Sequence, residues 1–341
     1  MVPALAVADA LRAEAGARVV FVGGERAEKT LVPEAGYELR TISVEGLSRT
    51  NPLKAARGVA RAGAALGTAR SLLRELAPDA VMGGGGYVAG PVGAAAVARR
   101  IPLVLTEADS HLGVTNRLLS RFARRVCLAF PLPGRDGDRY RVTGRPVPPP
   151  TTDRHAARAR FSLAPDVTCV LVFGGSLGAR SVNEASIEAF AGAPFHVLHA
   201  CGTRDYDALR ARLGDELPAN YDLRPYITPF GDALAAADLT VARAGGSIFE
   251  VAAHGLPAIL VPYPHAAADH QTANARWMVD AGAAIVVPDA ELSPQRLGAE
   301  VEALLGDPDR LAAMAAASRG LARPDAARDI AREVLSAAGV S

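Results

Sequence analysis

The residues best suited to chemistry lie in one stretch of the C-terminal third. It runs Arg243-Ala-Gly-Gly-Ser247-Ile-Phe-Glu250, continues through Pro257-Ala-Ile-Leu-Val-Pro262 to His265, and is followed by Asp269-His-Gln271 and Asn274. Leu239 to Arg243 reads as a short buried strand, the glycine pair as a tight turn, and Ser247 as the start of an apolar helical run. The first amide groups of such a helix have no partners within it, and the helix dipole places positive potential there. A strand, glycine turn and helix start can therefore bind a phosphate. Glu250 stands one turn in, where a carboxylate can accept hydrogen bonds from sugar hydroxyls. Pro257 to Pro262 predicts the next parallel strand, and His265 to Gln271 fall at its carboxyl end, where open α/β sheets bind ligands. An ordinary βαβ unit with Ser247 as a helix cap would use the same glycines. It would not call for Ser247, Glu250 and Asp269-His-Gln271 in that order.

A second glycine turn, Gly174-Gly-Ser176-Leu-Gly178, follows the apolar run Val167 to Phe173. It is shorter than the dinucleotide fingerprint, and the next strand, Phe195 to Cys201, ends without an acidic residue for a ribose, so NAD fits poorly. No glycine turn is followed by Lys-Ser/Thr, which excludes a P-loop. The phosphates of a nucleotide sugar suit the two turns better, and Tyr226-Ile227 at a strand end can frame a base through backbone groups; Ile227 reads equally well as core. His265 and His270 lack a third spaced ligand, so no metal and no other cofactor is expected. Ser176 lacks the G-x-S-x-G spacing of a hydrolase nucleophile.

The first half has its own candidates. Four consecutive glycines, Gly83 to Gly86, leave a strand at Asp79 to Met82 and lead through Tyr87 and Gly90 into a helix. Such a run lets backbone approach an anion closely. The strand Ile101 to Leu105 delivers Glu107, Asp109 and His111 to the sheet edge, where a carboxylate or histidine can deprotonate an acceptor hydroxyl. Asp109 can instead cap the next helix, expected at 116–123.

These elements need two α/β domains, which 341 residues accommodate. The expected division is 1–145, 146–323 and a final helix, 324–341, returning to the first domain; the proline-rich stretch 131–153 reads as the linker. Residues 1–150 carry 21 Lys and Arg against 13 Asp and Glu, and residues 151–341 carry 16 against 23. A basic half suits an anionic lipid surface or a phosphorylated substrate. Arg57 and Arg61, four apart on a helix expected over 53–76, with Lys54 and Arg49 nearby, are the candidate lipid patch. Cys127, Cys169 and Cys201 form neither a disulfide framework nor a zinc pattern. No apolar run reaches the ~20 residues of a membrane span.

Together the motifs resemble the MurG-type N-acetylglucosaminyltransferases of peptidoglycan synthesis. The matching runs are Pro3-Ala-Leu-Ala-Val-Ala, Leu31-Val-Pro, Gly85-Gly-Tyr-Val-Ala-Gly-Pro91, Thr115-Asn116, Gly144-x-Pro-Val147, Gly174-Gly-Ser-x-Gly-Ala-Arg180, Glu250-x-Ala-Ala-x-Gly-Leu-Pro257 and Gln271-x-x-Asn-Ala275. The resemblance implies two Rossmann-like doubly wound domains facing a cleft, the B-type glycosyltransferase fold. It implies metal-free, inverting transfer of N-acetylglucosamine from UDP-N-acetylglucosamine to undecaprenyl-diphospho-muramyl-pentapeptide. It implies peripheral attachment to the anionic cytoplasmic face of the cell membrane, with no nucleic-acid partner. Donor contacts would fall to Asp109, Arg145, Ser176, Ile227, Ser247, Glu250 and Gln271, and acceptor-diphosphate contacts to Gly85, Gly86, Tyr87 and Gly90. Glu107 and Asp109 are the candidate catalytic residues, in Thr106-Glu-Ala-Asp109 where the family has His-Glu-Gln-Asn. The family's opening strand and its Gly-Gly-Thr-x-Gly-His loop have no counterpart before Val2. The expectation is a first sheet lacking a central strand, with apolar edges exposed, and a chain inactive without that loop. Rival readings are a UDP-sugar epimerase of the same fold and a non-catalytic sugar-nucleotide-binding subunit.

Overall fold

The computed structural model describes residues 1–42, 52–175, 178–214, 216–266 and 269–340, with only the helical backbone for 52–62. The expected loop around Arg49, the side chains of Lys54, Arg57 and Arg61, and Ser176 lie outside the described residues. The chain forms two compact units, Met1–Val147 with Arg323–Ser341, and Pro148–Ala322.

The first unit contains α1 (Val2–Ala15), β1 (Val20–Gly23), α2 (Glu28–Glu34), β2 (Glu38–Thr41), α3 (Pro52–Leu76), β3 (Val81–Gly83), α4 (Gly86–Ala98), β4 (Leu103–Glu107), α5 (Val114–Leu119), β5 (Arg125–Leu128) and β6 (Tyr140–Val142). All strand pairs are parallel, but they form two separate sheets, β1-β2 and β3-β4-β5-β6. Val20, Phe21 and Val22 of β1 are only half-buried, as expected of a strand paired on one side. Two details depart from the sequence reading. The helix expected at 116–123 starts earlier, at Val114. The proline-rich stretch also contains a strand, because Tyr-Arg-Val between Gly137 and Gly144 has the β-branched and aromatic character to extend the edge of β5, with the prolines outside it.

The second unit contains α6 (Arg154–Arg160), β7 (Cys169–Phe173), α7 (Arg180–Phe190), β8 (His196–Ala200), α8 (Tyr206–Leu213), β9 (Tyr221–Arg224), α9 (Phe230–Ala236), β10 (Leu239–Ala242), α10 (Ile248–Ala253), β11 (Ala258–Leu260), α11 (His270–Asp280), β12 (Ala284–Val286), α12 (Pro294–Leu305) and α13 (Pro308–Leu321). The last helix, α14 (Ala326–Ala338), belongs to the first unit, where Ile330, Ala331 and Val334 share a core with Val7 and Leu11 of α1. The sheet of the second unit is parallel, in the order β12-β11-β10-β7-β8-β9. Every residue of β7, β10 and β11 is buried, which explains their near-continuous apolar runs. Strand order reverses between β7 and β10, a doubly wound switch point.

One buried polar chain runs through this core. The Asn183 amide nitrogen donates to the Cys201 carbonyl (2.9 Å) and to Asp205 (3.2 Å), so its oxygen must accept from His199 Nε2 (3.1 Å). His199 Nδ1 then accepts from the Tyr221 hydroxyl (2.8 Å). Complete burial pushes the His199 pKa down from 6.5 to about 3. A depressed histidine pKa leaves its stability contribution intact above the unfolded value and removes it as pH falls toward the folded one. Between pH 6.5 and 5, the wild type is expected to lose up to about 1.4 kcal/mol per pH unit more than His199→Gln. Urea unfolding across that window measures this, and parallel pH slopes would contradict it.

Candidate active site

The switch point gathers the donor candidates. Phe173 pairs with Ala242, so the turns that follow β7 and β10 leave the sheet side by side. In the first turn, Gly178 donates its amide to Gly175 O (3.0 Å) and has φ +76°. A Cβ at Gly178 would lie 2.1 Å from the Cys201 carbonyl oxygen, so only glycine lets this loop fold against the end of β8. α7 begins directly after it, and its first amides face outward from the helix.

The second turn is held from behind. Buried Asn274 of α11 donates to Ala244 O (3.1 Å), fixing the chain just before Gly245-Gly246. Ser247 is the N-cap of α10, but its side chain makes no cap hydrogen bond, so the hydroxyl is not spent on the helix as the capping reading would have it. Glu250 lies half-buried in the first turn of α10. Gln271, in the first turn of α11, accepts from the Tyr263 amide (2.9 Å) through its side-chain oxygen, which leaves its amide hydrogens as donors. Ile227 is 3% exposed, so its side chain is core and only its backbone is offered to a ligand. Among the described residues no three His, Cys, Asp or Glu side chains stand together as metal ligands.

Sequence reasoning passed over Arg243 as more than a strand end. Its guanidinium is buried, donates to the carbonyls of Val261 (3.1 Å) and Pro262 (3.2 Å), to Ser181 Oγ (2.8 Å), and pairs with Asp289. Ser181 in turn donates to Asp289 (2.7 Å). One side chain thus ties β10, the exit of β11, the start of α7 and the turn after β12. An arginine directly after a buried strand was the available signal.

In the first unit, Gly85 (φ +78°) is the N-cap of α4 and Gly86 its first residue, while Thr115 Oγ1 donates to Gly86 O (3.0 Å). Tyr87 and Gly90 follow in the first turns of α4, half-buried, with Arg26 stacked 5.1 Å from the Tyr87 ring. Glu107, the last residue of β4, is 8% exposed and accepts four hydrogen bonds. Oε1 takes the amides of Ala108 (3.0 Å) and Asp109 (3.2 Å), and Oε2 takes Gly113 N (2.8 Å) and Asn116 Nδ2 (2.9 Å). The carboxylate therefore shapes the 108–113 loop and holds Gly113, the N-cap of α5, a helix that has no side-chain cap from Asp109. Asp109 stays half-buried on that loop. Arg145 belongs to this unit as well.

Glu107→Gln replaces an accepting oxygen with an NH2 group facing N–H donors. It is expected to destabilise the first unit by about 2–4 kcal/mol. An unchanged melting temperature with transfer abolished would instead identify the carboxylate as a base.

Known proteins are similar to this chain over nearly its whole length. The glycosyltransferase family 28 N-terminal domain matches residues 1–128, and the family 28 C-terminal domain matches residues 169–330. The chain is 43% identical to the UDP-N-acetylglucosamine--N-acetylmuramyl-(pentapeptide) pyrophosphoryl-undecaprenol N-acetylglucosamine transferase of Moorella thermoacetica, over 98% of this chain and 94% of that protein. The protein of the same name from Alkalilimnicola ehrlichii is 44% identical over 98% and 95%. The crystal structure of Acinetobacter baumannii MurG is similar with a TM-score of 0.79 at 31% identity, over 98% of this chain and 95% of that one. A UDP-GlcNAc 2-epimerase from Neisseria meningitidis, solved with UDP-GlcNAc, reaches a TM-score of 0.69 at 13% identity, a likeness of fold alone. On this identity and coverage, with matched domains in both units, the chain belongs to glycosyltransferase family 28, among the UDP-N-acetylglucosamine--N-acetylmuramyl-(pentapeptide) pyrophosphoryl-undecaprenol N-acetylglucosamine transferases.

Proposed function

We propose that this chain transfers N-acetylglucosamine from UDP-N-acetylglucosamine to undecaprenyl-diphospho-muramyl-pentapeptide with inversion, as a peripheral enzyme of the anionic cytoplasmic face of the cell membrane. The pairing of Phe173 with Ala242, which sets two glycine turns side by side at a switch point, carries the donor half of this reading. Outward amides of the turns and the Ser247 hydroxyl take the diphosphate, and Ser176 and Arg145 are proposed to add to them. Glu250 accepts from hydroxyls of the donor, Gln271 donates to it, and the backbone of Ile227 frames the base.

The first unit binds the acceptor diphosphate at the start of α4, through Gly85, Gly86, Tyr87 and Gly90. Glu107 holds the loop that carries Asp109, and Asp109 removes the proton from the attacking muramyl hydroxyl. The acceptor oxygen then bonds to the anomeric carbon as the bond to UDP breaks, and the electron pair leaves with the diphosphate. Amides aimed at that group stabilise the growing charge.

A coupled assay measures UDP release with the muramyl lipid, beside calorimetry with UDP-N-acetylglucosamine. Glu250→Ala is expected to weaken donor binding by about 10–100-fold through the lost charged hydrogen bonds. Donor binding without transfer would favour a binding subunit, and conversion of UDP-N-acetylglucosamine without acceptor would favour an epimerase.

A further inference from the structure

The chain enters the second unit after Val147 and leaves it at Ala322, and both segments rest on the same two residues at the end of α10. His254, the C-cap of α10, uses both ring nitrogens. Nδ1 lies 2.8 Å from the Glu250 carbonyl, which can only accept, so Nδ1 carries the hydrogen. Nε2 therefore holds a lone pair and accepts from the Thr151 amide (3.1 Å). The Thr151 hydroxyl donates to Asp232 of α9 (3.2 Å), and a Cβ at Gly231 would lie 2.7 Å from that hydroxyl. Thr151 is thus seated between α9 and the imidazole. The next residue, Gly255, takes the leaving segment. A Cβ there would lie 2.3 Å from Arg319 Cγ, so only glycine lets the last turn of α13 approach this closely. A histidine that served α10 alone would need only the Glu250 bond. The second bond reaches an amide 103 positions earlier.

We propose that His254 is a positioning residue for the donor site: its imidazole holds α10, and with it Ser247 and Glu250, in register with the segment by which the chain enters the second unit. The inference rests on the proposed donor contacts of Ser247 and Glu250. α10 has six residues, a length of about 9 Å. A helix of under two turns moves as a rod, so a shift at its His254 end displaces its first turn. The bond to Thr151 needs a neutral imidazole. A proton on Nε2 would set N–H against N–H and break the contact. Besides Glu250 on its own helix, the charged groups around the ring are Arg319 of α13, Arg154 of α6 with its partner Asp238 (2.6 Å), and Asp232 of α9, which pairs with Arg160 (3.0 Å). Among the described residues no carboxylate bonds to the ring. Burial holds its pKa below the ordinary histidine value.

Calorimetry with UDP-N-acetylglucosamine on the full chain compares wild type, His254→Ala and His254→Gln. Glutamine keeps a donor and an acceptor but does not titrate. At about pH 7.5, His254→Ala is expected to bind the donor about tenfold more weakly, and His254→Gln to recover affinity to within about twofold of wild type. From about pH 7.5 to 5, the affinity of wild type relative to His254→Gln is expected to fall at least about threefold. The sign follows because donor binding favours the neutral imidazole, and only wild type gains the proton as pH falls. Groups common to both proteins, such as Glu250, His265 and His270, cancel in that ratio. Wild-type affinity in a folded His254→Ala overturns the proposal, even where its melting temperature drops. So does a ratio of wild type to His254→Gln that stays constant with pH, and this comparison decides alone if His254→Ala does not fold. A wild type that ignores UDP-N-acetylglucosamine defeats the donor reading and this inference together, whereas donor binding indifferent to His254 defeats the inference alone.

Discussion

Arg243→Met is expected to lower the melting temperature of the second unit by roughly 10 °C, the largest effect of any single polar substitution proposed for this protein. Methionine has nearly the reach of the arginine stem but none of its donors. It leaves the carbonyls of Val261 and Pro262 without this partner, deprives Ser181 Oγ of a donor, and strips Asp289 of its countercharge. Removing one partner of a buried pair costs about 3–5 kcal/mol, because the other charge stays desolvated. Lysine restores charge but cannot present a planar fork to four acceptors, so Arg243→Lys is expected to recover less than half of the loss. Differential scanning calorimetry measures both variants. A drop below about 2 °C for Arg243→Met would show that the strand ends hold themselves in place.

The second large effect concerns the glycine turn after β7. Gly178→Ala is expected to destabilise the unit by about 3 kcal/mol and to weaken UDP-N-acetylglucosamine binding by at least about 30-fold. Two costs combine. An alanine at φ +76° is strained, and its Cβ, 2.1 Å from Cys201 O, must push the loop off the end of β8. Gly192 separates these costs, because it also has positive φ (+78°) but its Cβ would meet nothing within 4 Å. Gly192→Ala should lose about 1–2 kcal/mol and leave nucleotide affinity at the wild-type value. Equal affinity losses for both variants in calorimetry would mean that the turn does not shape the phosphate site.

The sequence by itself determined most of the elements and which residues stand at their ends. Runs such as Val170 to Phe173 and Leu239 to Ala242, each followed by glycines within three residues, specify buried parallel strands feeding helix starts, because strand burial and turn conformation are written in nearby residues. It also ordered Ser247, Glu250 and Gln271 along the carboxyl edge. Tertiary structure alone decided which edges meet. The pairing of β7 with β10 joins residues some seventy positions apart, and no local period encodes it. It also decided that Glu107 spends both oxygens on its own loop, that Arg243 gathers four strand and helix ends, and that Leu118 and Phe122 face outward while Leu119 faces in. The short edge strand β6 lay hidden among prolines for the same reason, since its pairing depends on the free side of β5. A side chain's type fixes what it can bond, but its partners are set by which distant segments the packed sheet brings within reach.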